Sequence, residues 1–197
     1  MLPQINIGVL ALQGAFKEHC NLIKRCGAGC KEIRHPGSLK GIDGLIIPGG
    51  ESTAIGKLMV DYDLLDPVRE KALNGLPVFG TCAGLVLLAK KIYNKNDQQL
   101  LVIMDMEVVR NAFGRQVDSF ETDLEIDILG YAPFRAVFIR APYITNINPN
   151  LGILATYKDK IVFARQGNLL ACSFHPELTD DNRIHRYFLQ IVKNSKI

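Results

Sequence analysis

Leu76-Pro77-Val78-Phe79-Gly80-Thr81-Cys82-Ala83-Gly84 decides how this 197-residue chain is read. Residues 76–79 form a short apolar, strand-like run. Small residues follow at once, and residues 84–93 read as a helix. A strand that turns sharply into a helix through small residues is the setting of a nucleophile elbow, here with cysteine in the serine position. Small side chains suit a tight turn in which backbones come close. A thiol there sits at a helix N-terminus, where the dipole favours thiolate. The backbone N–H of Ala83 is then available to a developing oxyanion. The competing reading of Cys82 is a buried, inert thiol packed behind a strand.

The same alternation continues outward. Residues 5–12 read as a buried strand. Residues 16–26 place Phe16, Cys20, Ile23 and Cys26 near helical spacing, with Gly27 and Gly29 ending the helix. A short strand is expected around 31–34. A buried strand at 44–47 ends at Pro48-Gly49-Gly50, and helices are expected over 52–59 and 63–73. Alternating strands and helices predict a parallel sheet covered on both faces. The second half changes character. Segments 107–110, 123–126, 136–140, 153–157, 161–165 and 169–174 are strand-like, with hairpin turns at 157–160 and 166–168. A final helix over 183–193 carries Ile184, Tyr187, Phe188, Ile191 and Val192 on one stripe. The expected architecture is a three-layer α/β sandwich with a mostly parallel central sheet and added antiparallel strands, one domain over residues 1–197.

Composition removes several function classes. With 48% hydrophobic and 22% charged residues, the chain is neither disordered nor collagen-like. No apolar run approaches the ~20 residues that span a bilayer. Met1-Leu2-Pro3-Gln4 lacks a basic flank, and the apolar run 7–12 is broken by Gly8, so no signal peptide is read and a cytoplasmic location is expected. Five cysteines in that setting point to free thiols rather than a disulfide framework. Lys and Arg number 23 against 20 Asp and Glu, a net +3 that is too mild to argue for nucleic acid.

A nucleophilic cysteine needs a base. Of the four histidines, His19 and His185 fall inside helices and read as helix-face residues, and His35 precedes Pro36 with no acidic neighbour. His175 differs. It closes the strand at 169–174, and Glu177 lies two residues on, past Pro176. In an extended segment the two side chains point the same way, so the carboxylate fixes the imidazole tautomer and leaves the other nitrogen for Cys82. The joint reading is a Cys-His-Glu triad.

Pro48-Gly49-Gly50-Glu51-Ser52 follows another buried strand, and its glycines let a backbone N–H turn toward a ligand as a second oxyanion donor. A phosphate loop fails here. Five residues separate Gly50 from Gly56 where the motif has four, and Leu58 stands where Ser or Thr is required. Cys20, Cys26 and Cys30, with His19 and His35, do not match zinc-ligand spacing, so no metal is expected. Arg110 and Arg140 each end a strand-like run, where an Arg fork suits a substrate carboxylate, although surface arginine is the default reading.

Gly49-Gly50-Glu51-Ser52, Gly80-Thr81-Cys82-Ala83-Gly84 and Phe174-His175-Pro176-Glu177 together resemble the triad-type (class I) glutamine amidotransferases. Gly8-Val9-Leu10-Ala11-Leu12-Gln13-Gly14, Arg110-Asn111-Ala112-Phe113-Gly114-Arg115-Gln116, Phe138-Ile139-Arg140-Ala141-Pro142 and Cys172 to Leu178 narrow the resemblance to the glutaminase subunits of pyridoxal phosphate synthases. It spans nearly the whole chain. The resemblance implies Cys82 as nucleophile, His175 as acid and base, and Glu177 as its orienter. It implies L-glutamine contacts from Gly50, Glu51, Ser52, Arg110, Ile139 and Arg140, and an oxyanion hole near Gly50 and Ala83. The arginines would take the substrate carboxylate, and Glu51 or nearby backbone acceptors its ammonium. It further implies that Gln13 and Gly14 lie close to the site and to a partner, a barrel-shaped synthase subunit that receives ammonia and assembles the vitamin B6 cofactor. No cofactor of its own is implied. A glutaminase serving another synthase, a different thiol hydrolase and a non-catalytic binding module on the same fold are the alternatives.

Overall fold

Short apolar runs that lack a polar alternate form the centre of the sheet. The computed structural model describes residues 5–94, 98–110 and 119–196. Its first half contains β1 (Asn6–Leu10), α1 (Phe16–Arg25), β2 (Gly29–Ile33), β3 (Gly44–Ile47), α2 (Ser52–Asp61), α3 (Leu65–Leu73), β4 (Val78–Thr81) and α4 (Ala83–Leu88). The four strands are parallel in the order β2-β1-β3-β4. Every residue of β3 and β4 is buried, as expected where helices cover both faces. Alternate residues serve opposite layers. Leu45 and Ile47 join Ile55, Met59, Val68 and Leu85 from α2, α3 and α4. Ile46 joins Cys20 and Ile23 of α1 on the other face.

The second half adds β5 (Ala89–Ile92), β6 (Met104–Val109), β7 (Ser119–Leu124), β8 (Phe134–Ile139), β9 (Tyr143–Ile147), β10 (Gly152–Tyr157), β11 (Lys160–Gln166), β12 (Leu169–Cys172) and α5 (Arg183–Asn194). β12 lies parallel beside β4, with Leu170 opposite Phe79 and Cys172 opposite Thr81. Beyond it β11 runs antiparallel, with β10 and β9 antiparallel to β11 in turn, then β6, and β5 parallel to β6. Lys158 and Asp159 both have positive φ, the geometry of a two-residue hairpin turn. β7 and β8 form a separate ribbon whose Phe120 stacks on Phe138 at 4.7 Å. α5 buries Ile184, Phe188, Ile191 and Val192 on the α1 side. This is the expected three-layer sandwich with a mostly parallel sheet and antiparallel strands added late.

Several boundaries differ from expectation. The helix expected over 84–93 ends at Leu88, and the chain continues directly into β5. All six residues of α4 are buried, so no polar face favours its extension, and Ala89 pairs with Met104 instead. The strand expected at 123–126 begins at Ser119 and ends at Leu124, and β9 had no counterpart in the sequence reading. The cysteines are corrected as well. α1 packs on β2 and brings the Cα atoms of Cys20 and Cys30 to 5.5 Å, where they form a disulfide, so the free thiols are Cys26, Cys82 and Cys172. Among the described residues no helix is long and apolar enough to cross a membrane.

Candidate active site

The site sits beyond the carboxyl ends of β1, β3, β4 and β12, where open α/β sheets place their ligands. β4 delivers Cys82 in an unusual backbone conformation, φ 48° and ψ −99°. The turn is held from both sides. The Cys82 N–H donates to the carbonyl of Cys172 at 2.8 Å, and the Cys82 carbonyl accepts from Val86 N–H at 3.3 Å, so α4 begins without a spacer. A non-glycine residue at positive φ costs roughly 1–3 kcal/mol and persists only where its surroundings over-determine it. Gly84 lets the elbow close, because a Cβ there would stand 2.0 Å from the Ile47 carbonyl oxygen. The Cys82 Sγ lies 3.9 Å from the carbonyl oxygen of Ile139, at the end of β8. Ala83 opens α4, so its N–H has no acceptor within the helix.

His175 arrives from β12. The segment is tied to β11 by Ser173 N–H to the Val162 carbonyl and to the separate β8 ribbon by His175 N–H to the Val137 carbonyl, both 2.8 Å. The chain past His175 is not the extended segment expected, and Pro176 does not continue it. It opens a short 3-10 turn, Pro176–Leu178, for which its fixed φ is suited. The side chains still meet, with His175 Nδ1 2.8 Å from Glu177 Oε1. Burial pushes the His175 imidazole down, but hydrogen bonds with Cys82 and Glu177 and their charges outweigh it and raise its pKa to about 10. Burial pushes Glu177 up, and His19 and His175 more than offset this, leaving its pKa below the ordinary value. The arrangement favours an imidazolium between two acidic groups. The Cys172 thiol, fully buried nearby, is pushed well above its usual range by burial and then by Glu177.

His19 and His185, read from sequence as helix-face residues, are buried behind Glu177. The signal was there. His19 falls on the Phe16–Cys20–Ile23 stripe and His185 on the Ile184–Phe188–Ile191 stripe, so both lie on faces that dock.

A second wall is built on the Pro48-Gly49-Gly50 turn, which abuts the first where Gly49 packs on the His175 ring, so closely that a Cβ would stand 2.3 Å from Cε1. Glu51 caps α2, its carboxylate accepting from Thr53 N–H at 3.1 Å and Ala54 N–H at 2.7 Å. Burial pushes that carboxyl up, but these bonds and Arg110 bring it below its ordinary value. Arg110 donates to Glu51 Oε1 at 3.1 Å, to Thr53 Oγ1 at 3.1 Å and to Gln98 Oε1 at 2.8 Å. Ser52 is buried and its hydroxyl donates to Gln98 Oε1 at 3.3 Å. Arg110 and Glu51, expected to take opposite ends of one substrate, therefore pair with each other. The Gln13 side chain accepts from Glu51 N–H at 2.9 Å. Gly14, φ 97°, presses on the Gly49 carbonyl so closely that a Cβ would stand 1.8 Å from its oxygen. The Gln13-Gly14 loop is thus seated directly on the turn that carries Gly50.

Between the walls lies a cavity of about 280 Å³. It is lined by Gln13, Gly50, Glu51, Ser52 and Arg110 together with Cys82, Ala83, His175, Ile139 and Arg140. All the candidate positions named in the cavity walls reach this one space; Glu177 stands behind His175, and Gly14 supports the turn beneath Gly50. Residues 111–116 of the sequence motif fall outside the described residues. Among the described residues no cluster of His, Cys, Asp and Glu could hold a metal ion.

Known proteins match both the sequence and the fold. Residues 9–194 match the SNO glutamine amidotransferase family. A curated protein of Moorella thermoacetica, named pyridoxal 5'-phosphate synthase subunit PdxT, is 63% identical over 188 residues, 95% of this chain and 100% of its own length. Its namesake from Carboxydothermus hydrogenoformans is 60% identical over 95% of this chain and 98% of its own. A crystal structure described as a glutamine amidotransferase superposes with a TM-score of 0.90 at 50% identity, covering 95% of this chain and 98% of that one. Another crystal structure, of a glutamine amidotransferase from Thermotoga maritima, is 13% identical over 99% of this chain and 86% of its own, and shares the fold with a TM-score of 0.63. Matched across almost its entire length, the chain belongs to the SNO glutamine amidotransferase family.

Proposed function

We propose that this chain is the glutaminase subunit of a pyridoxal 5'-phosphate synthase, hydrolysing L-glutamine to L-glutamate and ammonia. The observation that carries the reading is the strained Cys82 and the buried His175–Glu177 pair brought to one cavity of about 280 Å³. Cys82, as thiolate beside the His175 imidazolium, attacks the side-chain amide carbon of glutamine. The N–H groups of Ala83 and Gly50 receive the oxyanion. His175 then gives its proton to the departing nitrogen, the C–N bond breaks, and ammonia leaves a thioester on Cys82. His175, now neutral, takes a proton from water, hydroxide adds to the thioester, and glutamate departs as the Cys82–His175 pair is restored. Glu177 orients the imidazole and stabilises its charge throughout. Gly50, Glu51, Ser52, Arg110, Ile139 and Arg140 enclose the substrate. Arg140 takes the carboxylate, with Arg110 acting chiefly through Glu51.

The whole chain acts as one glutaminase domain in a cytoplasmic setting. Its product passes to a barrel-shaped synthase subunit that docks near Gln13 and Gly14. Their contact with the Gly49-Gly50 turn gives docking a route to the oxyanion donors. Steady-state ammonia release from glutamine, measured with and without a synthase subunit, tests the reading. Turnover should rise on docking and vanish in Cys82→Ala, which keeps the fold because a small residue suits the elbow. Substantial activity in Cys82→Ala would refute the assignment.

A further inference from the structure

Behind Glu177 the molecule buries two imidazoles that the reaction does not use. His19 of α1 and His185 of α5 are each 0% exposed. His19 Nδ1 lies 2.9 Å from His185 Nε2. His19 Nε2 lies 3.2 Å from Thr81 Oγ1 and 3.3 Å from Glu177 Oε2. The two remaining atoms are alone, because His185 Nδ1 is buried without a partner and Glu177 Oε2 has no well-directed donor. Burial disfavours charge on either ring, and the charges that face them are Glu177, His175 and Glu18.

Two neutral rings joined by one nitrogen–nitrogen hydrogen bond allow only two proton patterns. In the first, His19 holds its proton on Nδ1 and donates it to His185. Its bare Nε2 lone pair then faces the carboxylate, and His185 buries an N–H with nothing to receive it. In the second, both rings are protonated on Nε2. His185 donates to His19 Nδ1, His19 turns an N–H edge toward Thr81 and Glu177, and the orphan atom is a lone pair on His185 Nδ1. The second pattern removes a lone-pair repulsion beside an anion, and it avoids an orphaned buried N–H, which native structures rarely tolerate.

We infer that His19 is a positioning residue of the catalytic pair: its Nε2–H, set by His185 and anchored on Thr81, turns a positive edge to the outer oxygen of Glu177 at 3.3 Å and so favours the carboxylate whose inner oxygen stays on His175. Glu177 then faces an imidazole at each oxygen, hydrogen-bonded to the one that works and in electrostatic contact with the one that does not. The inference rests on the glutaminase reading for its purpose but not for its geometry.

The test begins with the unmodified protein. Long-range nitrogen–proton spectra of the histidine side chains at neutral pH should show His19 and His185 each protonated on Nε2 and bare on Nδ1. An Nδ1–H on either ring overturns the inference. His19→Leu should then lower kcat roughly tenfold with the glutamine KM unchanged. It should also move the acid limb of the pH profile up by about one unit, because Glu177 loses a group that favours its ionised form. His19→Gln, whose amide can place an N–H near the former Nε2, should recover most of both changes. A packing role alone would shift the melting temperature and leave the acid limb in place, and wild-type kcat with an unmoved limb in His19→Leu would refute the inference. Should His19→Leu fail to fold, the spectra of the unmodified protein decide alone. Absence of ammonia release from the wild-type chain with its synthase would sink the glutaminase reading instead, and the proton pattern would be judged separately.

Discussion

The two walls of the cavity differ in how their charges are held. On one, the Glu177 side chain is 0% exposed and that of His175 9%, and their partners come from α1 and β8 as well as their own turn. On the other, the Glu51 side chain is 51% exposed and Arg110 23%, and their links run within one surface cluster with Thr53 and Gln98. Charge interactions in the first wall act in a low-dielectric setting and resist salt, while those in the second are screened and worth little individually. Bond-breaking chemistry needs fixed dipoles at the moment of reaction, and the first wall supplies them. Recognition of a flexible amino acid tolerates the second, which can adjust as the ligand enters.

The sharpest way to break this contrast is to strike the rigid wall. His175→Asn should lower turnover by about 10⁴-fold or more, since it removes the proposed proton carrier of both half-reactions. Glu177→Gln should cost less, and it should bring the His175 pKa down from about 10, which a side-chain titration would read. The double variant should be no worse than His175→Asn alone, because the residues act as a unit. Additive losses would mean that the pair is not one device.

A smaller effect is expected from the scaffold beneath that wall. Gly84→Ala places a methyl 2.0 Å from the Ile47 carbonyl oxygen, so β3 and α4 must move apart. Overpacking of this kind costs about 1–3 kcal/mol, which denaturant unfolding would register. Activity should fall with it, because the shift moves Cys82. Unchanged stability would show that the elbow is looser than its contacts imply.

The smallest effects belong to the screened wall. Arg140→Ala should raise the glutamine KM roughly tenfold while leaving Cys82 equally reactive toward a small neutral alkylating agent. Arg110→Ala should have a milder effect, since Arg110 is engaged by Glu51, Thr53 and Gln98. Equal losses from the two would place Arg110 on the substrate and erase the distinction between them.

What the sequence disclosed follows the same division. The elbow was legible because a strand, a run of small residues and a helix start are contiguous, and the His175–Glu177 pair because only one residue separates its members. The central parallel strands β3 and β4 were legible as short apolar runs. α4 was overextended because Leu85, Val86, Leu87 and Leu88 are buried all round and carry no period that marks an end. β7 was missed at its start because its alternating Phe120, Thr122 and Leu124 are interleaved with Ser119, Glu121 and Asp123, which strands generally disfavour. Pairings across the fold left no local trace. Nothing in the spacing of Cys20 and Cys30 says that α1 returns them to one another. Nothing near Arg110 says that Glu51, 59 positions earlier, will meet it.

The positive φ of Cys82 has an evolutionary consequence. L-residues other than glycine are disfavoured there, so Cys82→Gly would relieve backbone strain of roughly 1 kcal/mol while erasing the nucleophile. Selection for folding alone therefore pulls this position away from cysteine, toward a sturdier protein that does no chemistry. A lineage that stopped needing ammonia would meet no stability barrier to becoming an inert copy of the same fold. Cysteine at the elbow is therefore a choice that folding alone does not favour, and the proposed chemistry supplies a reason for it.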